Sequence, residues 1–307
     1  MASRAGAVAG VGRRPSRLRS LAWREAMSGY LLVLPVGLIL LALVAYPFGY
    51  AIFISFTDRV VGNAGKWVGL ANYDYLIHWV TFDAAVVNTV VLVAVSNTVK
   101  LFVGLGLALL LNEKLRFRNL FRAWVLLPWA MPAFVAFLTW RLLFQPIGGG
   151  IDLLLQQLGL VNAPIDWLGQ RSTAMPAVII ATVWRGFPFW CISFLAALQN
   201  VPEEQYEAAK IDGAGVMQRF QYITLPSLRY TILLVALLSS IWTANSFENV
   251  WIMTQGGPSD ATMIFPVLAF FGLQSQRLGE AAAVSVALLP ALALLVFILT
   301  QLMLRED

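Results

Sequence analysis

EAAKIDGAGVMQRFQYITLP, residues 207–226, is a polar interruption between two long apolar runs. It is too long and too patterned for a minimal turn. Glu207, Ala208, Ala209, Lys210 and Ile211 favour helix, Gly213 and Gly215 break it, and Phe220, Ile223 and Leu225 restore an apolar face before Pro226. The pattern predicts helix, turn, helix on a membrane surface. A short amphipathic element of this kind suits docking into a groove on a soluble partner.

The rest of the chain explains why a membrane is involved. Of 307 residues, 59% are hydrophobic and 12% charged, well below the roughly one-quarter charged fraction of a soluble domain. Crossing a hydrocarbon core of about 30 Å takes roughly 20 apolar residues as helix. Six runs qualify, at about 30–56, 86–111, 121–144, 174–199, 229–252 and 281–304. The expected fold is therefore an all-α membrane protein with six transmembrane helices. The N-terminal Arg-rich start resembles a secretory signal, but the run from Tyr30 to Phe56 exceeds an h-region and reads as a retained helix.

A net charge of +5 and pI near 9.6 would suit nucleic acid, yet the basic residues sit where they mark sidedness. Arg4, Arg13, Arg14, Arg17, Arg19 and Arg24 precede the first run, Lys114, Arg116, Arg118 and Arg122 fill the second connection, and Lys210, Arg219 and Arg229 lie in the fourth. With an even number of spans, the positive-inside bias places both termini and residues 207–226 in the cytoplasm, N-in and C-in. Residues 1–24 read as a basic, disordered cytoplasmic tail drawn to anionic lipid, and 25–307 as the transmembrane domain, with 200–228 as its docking segment. Residues 145–173 predict a loop with one surface helix, IDLLLQQLGL.

Catalytic chemistry is missing from the pattern. The lone His78 falls in an outward loop, and the sequence holds no HExxH, GxSxG or GxxxxGK[ST] and no acidic pair inside a run. The single Cys191 excludes an internal disulfide framework. Any nucleotide hydrolysis must be performed by another chain.

Polar residues inside the runs are the remaining signals. Lys100 and Arg185 lie near the middle of the second and fourth runs, where a charge costs on the order of 3 kcal/mol and faces a bundle interior, a pathway or a partner. Lys100 reads as a residue that snorkels or lines a subunit interface. Arg185 is flanked by Trp184, Gly186, Pro188, Phe189 and Trp190, a setting for a sugar ring; pairing with Glu248 or with backbone carbonyls is the alternative. In the fifth run Ser239, Trp242, Thr243 and Ser246 share a helix face by their spacing. That stripe is either interhelical glue or a substrate-facing surface. Pro128, Pro132 and Pro188 predict kinks, around a pathway or as packing irregularities.

Glu207, Ala208, Ala209, Asp212, Gly213, Ile223, Leu225 and Pro226 resemble the EAA signature of permease subunits of binding-protein-dependent ABC importers. NTVVLVAVSNTVKLFVGLGLALLLNEKLRFRNLFR, LLPWAMPAFVAFLTWRLLF, WRGFPF and MTQGGP are similar to the sugar branch of that family, the maltose and glycerol-3-phosphate type. The likeness runs from about residue 30 to the C-terminus. It implies the type I importer permease fold in a bacterial or archaeal cytoplasmic membrane. It also implies a complex with a second permease, two ATP-binding subunits that hold ATP and Mg, and an extracytoplasmic solute-binding protein, with no cofactor on this chain. The residues of the signature would form a coupling helix seated in the ATPase, with Glu207 at the contact and Gly213 at the turn. Thr182, Arg185, Gly186, Phe189, Ser239, Trp242, Thr243 and Ser246 match positions that line the sugar path of the maltose-type subunit. Several asparagines of that pattern are Thr or Ser here and an aliphatic position is Arg185, so a sugar-type substrate is implied without pointing to maltose. A self-contained secondary transporter or channel, and a non-transporting scaffold, are the alternatives from other classes.

Overall fold

A computed structural model describes residues 16–113 and 116–304. The chain divides into two compact units between Phe53 and Ile54. The first is one helical run made of α1 (Ser16–Leu40), a π-helical turn (Leu41–Ala45) and most of α2 (Tyr46–Ser55). Its side chains are exposed around the whole circumference from Glu25 to Tyr50, and nearly all are apolar, as lipid requires of a span. The expected tail at 1–24 overlaps this run, because α1 begins at Ser16; residues 1–15 lie outside the described residues.

The second unit contains α3 (Ala71–Ile77), α4 (Val80–Asn112), α5 (Arg118–Ala130), α6 (Ala133–Leu143), α7 (Gly150–Gln157) and α8 (Arg171–Leu198). It continues with α9 (Glu203–Ile211), α10 (Val216–Arg219), a second π-helical turn (Phe220–Thr224) and α11 (Leu225–Ala244). It ends with α12 (Glu248–Met253), α13 (Phe265–Gln274) and α14 (Leu278–Leu304). Both π turns stop two residues before a proline, Pro47 or Pro226, and in each the residue preceding that proline donates its N–H to the carbonyl five back. A proline ring clashes with the carbonyl four residues earlier, and widening that turn lets the helix continue past it.

Five described helices or helical runs are long and apolar enough to cross a membrane, and a bent pair reaches that length and hydropathy only when its two members are taken together. The bent pair corrects the expectation of one helix at 121–144. Its members, α5 and α6, meet at 89°, because Pro132 holds Met131 in extended backbone (φ −69°, ψ 137°) and supplies no N–H to continue the helix. Pro128 and Pro188, in contrast, remain inside α5 and α8. The expected fifth span at 229–252 is displaced as well. Its helix begins at Val216 and stops at Ala244, where the Asn245 side chain donates to the Ile241 carbonyl (2.8 Å). Glu248 and Asn249 belong to the separate α12. The surface helix expected within 145–173 is α7.

Helices α4, α8 and α11 pack together around the centre of this unit. Gly104 brings α4 against α8: a Cβ there would meet Trp190 Cβ at 2.6 Å, the close approach that small residues permit in lipid. Each of the three helices passes through one apolar cluster, a polar layer, or both. One cluster gathers Leu92, Phe137, Val178, Val250 and Ile264; the other gathers Ala108, Trp190, Phe194, Leu228 and Val235. Ser96, Asn97 and Lys100 are buried between the two clusters along α4, and Ser239, Ser240 and Thr243 are buried beyond Val235 on α11.

Candidate functional site

The polar layer is built from reciprocal hydrogen bonds. Asn97 on α4 donates through Nδ2 to Ser240 Oγ (2.8 Å) and accepts from Ser239 Oγ (2.8 Å). Trp190 Nε1 on α8 donates to the same Ser239 oxygen (3.1 Å), and Ser240 donates on to the Ala236 carbonyl. Lys100 Nζ donates to Thr243 Oγ1 (3.1 Å). A polar group buried in lipid costs several kcal/mol unless it finds a partner, and this set satisfies most of its members internally.

Of the two alternatives for Lys100, snorkelling or lining a subunit interface, the structure speaks against the first. Lys100 is 3% exposed and lies along Gly186, whose added Cβ would sit 2.6 Å from Lys100 Cε. The side chain therefore reaches inward across a glycine and does not snorkel.

Beside this layer a cavity of about 90 Å³ is lined by Lys100, Trp129, Phe137, Thr182, Arg185, Gly186, Phe189, Ser239, Trp242, Thr243 and Ser246. All eight residues expected on the solute path are on its wall. They divide by what they are free to do. Ser239 is committed to Asn97 and Trp190, and Thr182 donates to the Val178 carbonyl while accepting from Asn249 Nδ2 (3.1 Å). These two hydroxyls bind helices together. Phe189 and Trp242 form a tilted aromatic pair with ring centres 4.9 Å apart, and the Trp242 ring is half exposed. The Arg185 guanidinium stands 6.0 Å over the Phe137 ring. Among the described residues it makes neither the ion pair with Glu248 nor a hydrogen bond to a carbonyl, and its Nε is buried without a hydrogen-bond partner. Gly186 serves by having no side chain.

Trp129 and Phe137 escaped the sequence reading. They come from α5 and α6, on either side of the Pro132 break, and only the 89° bend brings both to the cavity. Asn97 escaped too, although a polar side chain three residues before Lys100 is on the same helical face and was available as a signal.

Residues 207–226 form a second distinctive feature. Helix α9 ends at Ile211 with Asp212 as its cap, and Gly213 follows at φ +80°. Ala214 N donates to Ala209 O (2.8 Å) and Gly213 N to Lys210 O (3.1 Å), the paired bonds of a Schellman stop, which needs a left-handed residue. Gly215 then opens α10, its N–H donating to the Gln218 side chain (2.8 Å). The second helix of the expected pair is the foot of the long helix at 216–244. Tyr206 and Thr224 hydroxyls meet at 3.0 Å and tie α9 to the π turn. Glu207, Ala208, Asp212, Gly213, Leu225 and Pro226 are exposed, Ala209 and Ile223 half-buried. Ile211, Val216, Met217 and Tyr222 add exposed apolar surface.

Comparisons with known proteins agree with this architecture. The family described as "Binding-protein-dependent transport system inner membrane component" matches residues 100–305. The trehalose/maltose transport system permease protein MalF of Thermococcus litoralis is 36% identical over 267 residues, covering 86% of this chain and 90% of the relative. The arabinooligosaccharides transport system permease protein AraP of Halalkalibacterium halodurans is 33% identical over 295 residues, covering 94% and 91%. A chain of a bacterial ABC transporter involved in the import of alginate superposes with a TM-score of 0.81 at 22% identity, over 95% of this chain and 99% of the other.

Proposed function

The chain belongs to the binding-protein-dependent transport system inner membrane components, and on that premise we propose that it moves a sugar-type solute through the cavity beside its polar layer. It is a multi-pass permease subunit of the cytoplasmic membrane. The carbohydrate names carried by relatives at 36% and 33% identity support the solute class. The carrying observation is the Phe189–Trp242 pair next to Arg185 at mid-membrane, an apolar ring face beside a charged donor. Such surfaces hold the two faces of a sugar, C–H on one side and hydroxyl on the other.

The cavity is far smaller than the roughly 300–1,000 Å³ of a ligand pocket, so a second permease completes it. Two ATP-binding subunits hold ATP and Mg and perform the hydrolysis, and an extracytoplasmic protein delivers the solute. Both termini and residues 207–226 face the cytoplasm, where Glu207 and the exposed apolar side chains around Gly213 dock into the ATPase. The EAA-type spacing and the Schellman stop support that docking. Closing of the ATPases moves the docked segment, and α11, continuous with α10, carries the displacement toward Ser239, Trp242 and Thr243.

Trp242→Ala tests the path. In proteoliposomes holding the whole complex, solute uptake should fall at least about tenfold, which corresponds to about 1.4 kcal/mol, while the complex assembles and hydrolyses ATP as before. Unchanged uptake would remove the cavity from the path.

A further inference from the structure

The wall of the cavity carries two cationic side chains, Lys100 and Arg185, and no carboxylate. Charges buried at membrane depth are as a rule paired. Neither of these takes part in an ion pair among the described residues, where Asp74 pairs with His78 and Glu280 with Arg277. The spare hydrogen-bonding capacity points the same way. An ammonium has three donors and a guanidinium five. Lys100 makes one bond, to Thr243, and Arg185 Nε makes none.

The neutral groups nearby are differently placed. Asn97, Ser239, Ser240 and Thr182 use their donors and acceptors on one another, on Trp190, on Asn249 and on helix carbonyls. A neutral sugar would look for hydroxyl and amide partners, and on the wall those of Ser239 and Thr182 are taken. The donors with spare capacity on the wall include, besides the Ser246 hydroxyl, the two cationic groups beside an aromatic face.

We propose that this cavity receives an anionic oxygen group of the solute, a carboxylate or phosphate on a sugar, held between Lys100 and Arg185 while the ring lies on Phe189 and Trp242. The proposal rests on the reading of the cavity as part of the solute path. Gly186 belongs to the same device, because only a residue without a side chain lets Lys100 lie beside Arg185's helix turn.

The test is equilibrium binding to the purified complex of this chain with its partner permease and ATPases, without the binding protein, so that selectivity upstream is removed. The probes are a uronate disaccharide, its carboxyl-reduced neutral counterpart, and a hexose phosphate as competitor. The complex should prefer the uronate over the neutral sugar by at least about tenfold, the scale of one charge-assisted hydrogen bond. Lys100→Gln and Arg185→Gln should each abolish that preference, and Arg185→Lys, which keeps the charge without the fork, should retain it. Displacement of the uronate by hexose phosphate identifies a general anion site, and its failure a carboxylate site; both uphold the proposal. Equal affinity for the two disaccharides in the unmodified complex overturns it, as a carboxylate supplied by the partner permease would produce. Absence of uronate binding, or a preference that survives both Gln variants, overturns it as well. Trp242→Ala separates the two levels: equal affinities that both fall in this variant leave the path standing without the anion, whereas affinities unaffected by it remove the path itself.

Discussion

Ser239 shows how one side chain can match a functional pattern and be occupied by structure. Its spacing with Trp242, Thr243 and Ser246 is that of a shared face, but its hydroxyl joins α4, α8 and α11 through Asn97 and Trp190. Ser239→Ala should therefore act on stability. Interhelical hydrogen bonds in lipid contribute about 0.6 kcal/mol on average and up to about 1.7 kcal/mol, and here two partners lose their contact. We expect thermal unfolding of the detergent-solubilised complex to shift down with solute affinity retained; an unshifted midpoint with weakened binding would make Ser239 a solute contact. Lys100 shows the reverse. A lone charge in an apolar run was legible from the sequence, but its direction was not, because that depends on the empty space above Gly186 on another helix.

The elements follow their local chemistry closely. A proline after a helical run predicts a disturbance, and at residues 47 and 226 it is met by a π turn. At Pro132 it produces a bend of 89°. The difference lies in the preceding residue, which stays helical at Tyr46 and Leu225 and is extended at Met131. Gly213 belongs to the same scale. Its turn was legible as a glycine after a helix-forming stretch, and the left-handed φ of +80° is the physical reason. No heavy atom lies within 4 Å of a Cβ built there, so Gly213→Asp meets only the conformational cost of about 1–2 kcal/mol. The change should leave membrane insertion and assembly intact while lowering solute-stimulated ATPase activity severalfold, because it alters the angle at which α9 is presented. Wild-type stimulation in the purified variant complex would count against the docking role.

At the scale of the whole molecule, the polar segment at 207–226 and the cavity are joined by one helical run. Helix α11 runs on from α10 and the π turn, and the continuous run at 216–244 includes Ser239, Trp242 and Thr243. Glu207→Lys should break function at one end and leave the other in place. The variant should co-purify with its partner permease and bind solute normally, with solute-stimulated ATP hydrolysis and uptake both reduced at least about tenfold. Retention of both activities would dissociate the segment from the motor. The alternative of a self-contained transporter has lost its candidate coupling carboxylate, since Glu248 is exposed on α12 and is not part of the cavity wall.

Hydropathy and the spacing from Glu207 to Pro226 were enough to predict membrane helices and a helix-turn-helix between two of them, because these are properties of contiguous or helically periodic stretches, whereas the eight residues expected on a solute path came from the family resemblance. Tertiary structure alone decided which of those eight are free. It drew Lys100 inward, committed Ser239 and Thr182 to neighbouring helices, and brought Trp129 and Phe137 to the cavity across the bend at Pro132. A hydroxyl or an ammonium has the same donors in every sequence, and only the positions of other helices determine whether those donors are already used.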